Sequence, residues 1–394
     1  MFSYSIVSLR RTLKHSVVGI HYREEIMLRV APQDLPASLS AFIEYRKSGL
    51  SLNHVVGCPL DCGYCVRHLF NNYDMKKPHR IVPSSDAVEQ LVNHWAFRAH
   101  HTPIQIFNRA TDPFLPKVKE ELFETLEALD LRGLTNLVLI ITRWHVTRDD
   151  VVRLDQLQHL RVTILCTWSG IEDDRLEPVD QSIAAQSLET LFEGSRRTRC
   201  VLYWRPLILG INDTDAHIEK AAQLSNFAHA TAFTGLFLRE EIRAHLRGLG
   251  LEDVYADVAR RKVMPQELER RILSRSKASK LFRKTSCAVA HAWSTHDYNG
   301  HVGLPDLCDI CPPEQVRRCK AAFVRPKLEE VLRLASIAGL DVEAVTVEDD
   351  RIFVSNSSEE QRYFLQHSLN FQVHDRAHPH TPGRHGRAEI GWTT

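Results

Sequence analysis

Residues 136–168 read NLVLIITRWHVTRDDVVRLDQLQHLRVTILCTW. The segment opens on an apolar, β-branched run (NLVLIIT, 136–142). It passes through a polar stretch whose apolar residues recur at helical spacing (TRDDVVRLDQL, 147–157), then closes on a second buried-strand pattern (RVTILCTW, 161–168). Strands that are apolar along their whole length are covered on both faces, as in the parallel sheets of α/β proteins.

The same alternation continues on both sides. LNHVVG (52–57), IQIFN (104–108), CVLYWRPLI (200–208) and TAFTGLFL (231–238) bring the strand candidates to six. Helical patterns lie between them: PSSDAVEQLVNHWAFRAH (83–100), with a Ser N-cap signal, KVKEELFETLEALD (117–130), DQSIAAQSLETLFEG (180–194) and TDAHIEKAAQLSNFAHA (214–230). Strand and helix in turn, at roughly thirty residues per unit, predict a parallel sheet curling into a barrel or part of one.

The expected architecture is therefore α/β: a partial (βα)6 TIM-like barrel over 51–240, preceded by an N-terminal extension (1–50). A helical, cysteine-rich region follows (241–325), beginning with REEIRAHLRGLG (239–250). Residues 326–373 read as helix, strand, strand, helix, a small α+β appendage, and 374–394 as a disordered tail whose four histidines, from His374 to His385, have no regular spacing.

Composition narrows the function. The 394-residue chain carries 50 Lys+Arg against 49 Asp+Glu, a formal charge of +1, which excludes a globally basic nucleic-acid binder. Basic residues do concentrate in 260–284, ten against Glu267 and Glu269. That stretch reads as a solvated helix face, or alternatively as a patch for an anionic substrate or partner.

No run of eighteen apolar residues is present, so no membrane span is expected. The opening MFSYSIVSLRRTLKHSVVGI lacks the apolar core of a secretory signal; Arg10, Arg11 and Lys14 without acids only weakly resemble a transit peptide, and a cytoplasmic location is expected. The nine cysteines of such a chain are expected to be free, metal-bound or catalytic.

Three of them stand in CPLDCGYC (58–65), directly after the first strand candidate. Spacings of three and two intervening residues let one loop wrap thiolates around a common centre, with Gly57 and Gly63 supplying backbone freedom. Zinc completed by His54 or His68 is one solution, and a cubane cluster with one open iron is the other. The loop's position favours the cluster, because it falls at the C-terminal ends of the strands, where such folds place active sites.

Cys58-x3-Cys62-x2-Cys65, with Tyr64 before the last cysteine, resembles the signature of the radical S-adenosylmethionine (radical SAM) superfamily. NRATDPFLP (108–116), ITRWHVTRDD (141–150), RLEP (175–178) and RPLILGIND (205–213) resemble, in order, segments of its spore photoproduct lyase-like (DNA repair photolyase-like) subgroup. The matches run from about residue 51 to 240. The fifth-strand segment departs from the subgroup by lacking a second proline.

The resemblance implies a four-iron four-sulfur (4Fe-4S) cluster on Cys58, Cys62 and Cys65. It implies S-adenosyl-L-methionine chelating the open iron, and one-electron reduction to a 5′-deoxyadenosyl radical that attacks the substrate. It places Thr111 and Asp112 near the cofactor's amino group, Arg143 at its carboxylate, Asn212 and Asp213 beside the adenosine and Phe237 at the adenine, with Tyr64 among the cofactor-binding residues. Cys166 on the fourth strand is the candidate barrel-facing hydrogen donor. A flavodoxin- or ferredoxin-like electron donor is an implied partner.

A second group, Cys287-x20-Cys308-x2-Cys311-x7-Cys319, supplies four thiolates, enough to close the sphere of zinc or of a second 4Fe-4S cluster. The functional expectation is a radical SAM enzyme that repairs or modifies a nucleic-acid base or nucleotide-like substrate, with Trp144, Trp168 or Trp204 as stacking candidates. Modification of a peptide or natural product with an auxiliary cluster is the alternative within that class. A nonenzymatic zinc-stabilised binding protein is the alternative outside it.

Overall fold

The structure, a computed structural model, describes residues 27–251, 261–276, 280–302 and 304–377. Its centre is one sheet of strands β1 (Ile43–Arg46), β2 (Gly49–Leu52), β3 (Ile104–Ile106), β4 (Leu137–Thr142), β5 (Arg161–Trp168), β6 (Arg199–Leu207), β7 (Ala230–Leu238), β8 (Arg261–Val263) and the short β9 (Leu281–Phe282), which pairs parallel with the start of β7. Strands β2 to β7 are parallel and neighbour one another in chain order. β1 and β8 are antiparallel additions at the two ends.

Five helices make the crossovers: α1 (Ser84–Val92), α2 (Lys119–Asp130), α3 (Arg148–Gln156), α4 (Gln181–Gly194) and α5 (Asp215–Leu224). Local chemistry starts three of them. Thr147 and Asp150 form a reciprocal capping box on α3, Asp180 accepts from Ser182 at α4, and Thr214 accepts from His217 at α5. At α1 the N-cap is Pro83, because the Ser84 hydroxyl instead donates to Glu121 at 2.6 Å.

Side-chain alternation along the strands separates two cores. Val138, Ile140, Val162, Ile164, Cys166, Leu202 and Trp204 face the crossover helices, where Leu126, Leu154, Leu188 and Ile218 cover them. Leu137, Leu139, Leu165, Val201 and Tyr203 point to the other side and meet Cys287, Ala288 and Val289 of the Thr285–Ala292 helix. That helix fills the sheet's concave side near the strands' beginnings, and Trp293 just beyond it donates to Thr163 at 2.8 Å. The strand ends on the same side line a cavity.

The expected strand 52–57 is broken in two. The chain leaves the main sheet after Leu52, and Val55–Val56 pairs with His79–Arg80 instead. Buried Asn53 makes the turn, its N–H on Phe42 O at 2.8 Å. This detour carries the cysteine loop over the strand ends.

Four arginines of the basic stretch 260–284, Arg270, Arg271, Arg275 and Arg283, form ion pairs. Arg271 meets Asp215 at 2.7 Å, Arg275 meets Glu219 at 3.0 Å, and buried Arg283 holds Glu269 at 2.5 Å as well as Asp309. The sequence left a solvated face and a patch open; three of the arginines, Arg271, Arg275 and Arg283, are paired with Asp215, Glu219 and Asp309 from outside the stretch.

The appendage has a third strand, Gln372–Asp375, that pairs parallel with Arg351–Val354 across the Glu359–Leu369 helix. His374 and Asp375 are buried in this strand instead of belonging to a disordered tail, and the remaining tail histidines lie outside the described residues. The appendage docks on β1, with Tyr45 N–H on Glu360 at 2.7 Å. Asn299 joins it to the cysteine-rich region by accepting from Gln366 and Gln372, both at 2.9 Å.

Candidate metal and cofactor site

The three cysteines of the first loop converge on one cavity of about 110 Å³ at the C-terminal ends of the parallel strands. Thr111, Asp112, Arg143, Tyr64 and Phe237 line it too, with Thr167 and Arg205. Five strands and the loop after β2 thus contribute to one space.

The loop is held from beneath. Buried Arg67 donates to the carbonyls of Leu60 (3.0 Å), Asn72 (3.1 Å) and Met75 (3.3 Å), and Cys58 N–H meets Met75 O at 2.8 Å. Gly57 has φ +97°, and a Cβ there would lie 2.1 Å from Lys77 O. Gly63 allows the loop to approach the turn after β5, where its N–H donates to Leu176 O at 3.0 Å. A Cβ on Gly63 would sit 2.8 Å from Arg175 O.

Burial raises the pKa of the Cys58 thiol, with Arg67 opposing, and raises that of Cys62 well above the ordinary value, with Arg143 opposing. Such thiols become good ligands only when a cation replaces their protons.

Asp112 sits at the crossing of two loops. Its carboxylate accepts from Thr142 Oγ1 (2.7 Å), Arg143 N–H (2.8 Å) and Phe114 N–H (3.1 Å). Burial raises its pKa, and these donors work against the rise.

Arg143 Nη1 donates to Glu177 Oε2 and to Tyr64 OH, both at 2.7 Å, and Tyr64 OH also bonds Glu177. Burial opposes the guanidinium charge, yet Cys62, Glu177 and Tyr64 hold its pKa well above the ordinary value. Among the described residues its hydrogen bonds run through Nη1 and the backbone N–H, leaving other guanidinium N–H groups for a ligand in the cavity.

Two residues that line this space carry further polar atoms without partners. Thr111 Oγ1 and Thr167 Oγ1 are buried without hydrogen-bond partners among the described residues. An orphaned buried hydroxyl is costly unless something fills the cavity and bonds to it. The donor set, three thiols, an arginine and two unpaired hydroxyls, fits a thiolate-held cluster with a polar, carboxylate-bearing ligand beside it.

Other expected positions fall elsewhere. Asn212 is buried away from the cavity lining; it donates to Ser169 O (2.7 Å) and Pro206 O (2.8 Å) and accepts from Ile208 N–H (2.7 Å), so it braces the loop after β6. Asp213 does not line the cavity, and its carbonyl accepts from Arg271 at 2.9 Å. Cys166 faces the helices, opposite to the barrel-facing orientation expected of a hydrogen donor, because strand parity sends Leu165 and Thr167 to the concave side. Trp168 stacks on His217, which accepts from Trp204 Nε1 at 3.0 Å, and Trp144 packs against the helix-facing core, so none of the three lines the cavity. His54 lies among Ser84 and Thr125, and His68 stacks on Tyr73; neither lines the cavity.

Glu177, Thr167, Arg67 and Arg205 were not among the expected site residues. RLEP carried a signal for Glu177, whereas nothing local distinguishes Thr167 from any other strand threonine.

The second cysteine group closes around a smaller cavity of about 40 Å³, lined by Cys287, Cys308, Cys311 and Cys319 together with Asp297 and His301. Ligand atoms of Cys287, Asp297 and His301 lie within 4.8 Å of one another. Asp297 N–H (3.4 Å) and Gln315 Nε2 (3.2 Å) both donate to Cys319 Sγ. Burial and neighbouring thiols push Cys311 up to about 12, and His301 draws Asp297 below the usual carboxylate range despite its burial.

No protein-family model matches the chain, and no curated protein matches it. It is similar to solved structures of spore photoproduct lyase. A cysteine-to-serine mutant shares 12% identity at a TM-score of 0.45, over 60% of this chain and 75% of that one. A tyrosine-to-phenylalanine mutant shares 12% at 0.44 over the same shares of the two chains. The lyase complexed with dinucleoside spore photoproduct shares 11% at 0.39, over 61% and 64%.

Proposed function

We propose that this chain is a radical SAM enzyme that repairs or modifies a nucleic-acid base or nucleotide-like substrate. The observation that carries the reading is the convergence of Cys58, Cys62 and Cys65 with Thr111, Asp112 and Arg143 on a single cavity at the strand ends. Three sequence motifs, read separately, thereby become one site.

Cys58, Cys62 and Cys65 would hold a 4Fe-4S cluster, and the cavity beside it would take S-adenosyl-L-methionine. When bound, the pair supplies one-electron cleavage of the cofactor to a 5′-deoxyadenosyl radical. The chain's own residues bind and orient. The spare N–H groups of Arg143 suit a cofactor carboxylate, the Thr111 and Thr167 hydroxyls suit its polar groups, and Phe237 offers an apolar face. Asp112 fixes the two loops that carry Thr111 and Arg143. Electrons would come from a flavodoxin- or ferredoxin-like donor.

The nucleotide-like substrate rests on the subgroup motifs and on Arg205, a cationic group lining the cavity. The dinucleoside bound by one similar structure belongs to that lyase.

Cys287, Cys308, Cys311 and Cys319 would hold a second 4Fe-4S cluster or zinc. Its cavity shares no lining residue with the first. This separation favours a centre that binds the C-terminal region together over one that touches substrate, and so weighs against the peptide-modifying alternative.

Anaerobic purification followed by iron, acid-labile sulfide and zinc analysis tests the reading. About four or eight irons per chain, and release of 5′-deoxyadenosine on reduction with S-adenosyl-L-methionine, are expected. Zinc without iron after reconstitution would leave only the binding-protein alternative. Turnover of lesion-containing oligonucleotides, set against peptide pools, separates the two substrate classes.

A further inference from the structure

Glu177 is buried, its side chain 1% exposed, and its two oxygens have different neighbours. Oε2 accepts from Arg143 Nη1 (2.7 Å), Ser169 Oγ (3.2 Å) and Tyr64 OH. Oε1 faces the Cys62 thiol at 3.8 Å, and Cys62 is its one hydrogen-bond partner among the described residues. Once that sulfur is a metal-bound thiolate with no proton to share, Oε1 faces negative charge.

The arrangement follows from the backbone. The turn after β5 brings Leu176 O onto Gly63 N–H, and the absent Cβ of Gly63 lets Arg175 O come close. Glu177, one residue on, is delivered against Cys62. A carboxylate is an unfavourable neighbour for a thiolate in a buried site, and its cost is met by the guanidinium that bonds its other oxygen.

We propose that Glu177 is a potential-setting and positioning residue, whose carboxylate lowers the reduction potential of the cluster held by Cys58, Cys62 and Cys65 while pinning Arg143 at the cavity wall. The inference rests on the cluster reading above and deepens it. The step concerned is the gain of one electron from an external flavodoxin- or ferredoxin-class donor; no bond in the chain forms or breaks. A fixed negative charge beside a ligand sulfur opposes that gain, and a positive one assists it, because a cluster's potential follows the net charge around it. An electron accepted against such opposition is more strongly reducing when passed on. Glu177 and Arg143 therefore act with opposite sign at one sulfur.

The test is an anaerobic redox titration of the cluster, followed by electron paramagnetic resonance, on full-length protein without S-adenosyl-L-methionine. Four variants are compared with wild type: Glu177→Gln, Arg143→Gln, the double variant and Glu177→Asp. The expected results are a less negative midpoint for Glu177→Gln and a more negative one for Arg143→Gln. The double variant, neutral like the native pair, and Glu177→Asp, which keeps the charge, should both return toward wild type.

A Glu177→Gln midpoint at or below wild type overturns the proposal. If Glu177→Gln does not hold a cluster, Arg143→Gln and the double variant decide: equal midpoints in the two overturn it, and a more negative midpoint in Arg143→Gln alone supports it. Wild-type protein with no iron at the first site would instead overturn the cluster reading itself, so the two failures are distinguishable.

Discussion

The carboxylate of Asp112 takes the backbone N–H of Arg143 at 2.8 Å, so the loop ending β3 is bonded directly to the loop ending β4. With Thr142 and Phe114 as its other donors, Asp112 holds together the two segments that carry Thr111 and Arg143. Replacing it by Ala strands buried donors, at a cost of about 1–3 kcal/mol. Asp112→Ala should lower the urea midpoint at unchanged slope and also weaken cofactor binding. A variant as stable as wild type would mean the loops hold without this carboxylate.

Thr167 should behave in the opposite way. Its hydroxyl is buried without a partner among the described residues, so Thr167→Val removes a desolvated polar atom at nearly constant shape. The metal-free protein should be as stable as wild type or slightly more so, while affinity for S-adenosyl-L-methionine falls several-fold in isothermal titration of the cluster-loaded enzyme. Unchanged affinity would show that the hydroxyl has no ligand partner.

Arg283 is held by Glu269 at 2.5 Å and by Asp309, with its own side chain 1% exposed and that of Glu269 2%. Removing one member of a buried pair leaves an uncompensated charge and costs about 3–5 kcal/mol. Arg283→Met should therefore destabilise strongly, and Arg283→Met with Glu269→Met should recover much of the loss. Thermal melts of the two variants check this; an equally unstable double variant would assign the loss to packing.

Acid should weaken the fold before its carboxylates titrate. Burial, with Arg80 adding to it, holds His54 at about 3, against 6.5 for an ordinary histidine. The folded state keeps this imidazole neutral where the unfolded chain would protonate it. Its contribution is complete above about pH 6.5 and is lost as pH falls toward 3. Stability measured from pH 7 to 5 should decline, and His54→Asn should flatten that decline. An identical slope in the variant would assign the effect to other groups.

Four-thiol binding in the C-terminal region predicts a separable effect of metal removal. Cys319→Ser should lower the metal content of the second centre while leaving the iron of the first unchanged. Because Asp297 and His301 line the same cavity and Asn299 binds Gln366 and Gln372, proteolysis of the 326–377 region should become faster. Loss of iron from both centres would show that they do not load independently.

The positions of the strands were legible because a parallel strand covered on both faces must be apolar throughout. Arg161–Trp168 is observed with the boundaries that RVTILCTW suggests, and Leu137–Thr142 and Ala230–Leu238 depart by one residue at their beginnings. The three-cysteine loop was legible because ligand spacing is a local property. What local pattern cannot hold is direction and partnership. Whether Cys166 faces the helices or the cavity depends on strand parity within the assembled sheet. Whether Arg271 and Arg275 stand as free charges depends on Asp215 and Glu219 arriving from another helix. Glu177 is sequentially far from Cys62, and the close approach of Gly63 to Arg175 and Leu176 helps set it against that sulfur. The sequence determined which chemistry the chain can hold, since spacing and periodicity are written along one dimension. The tertiary structure alone decided which groups share the cavity, because burial and charge pairing are properties of neighbours in space.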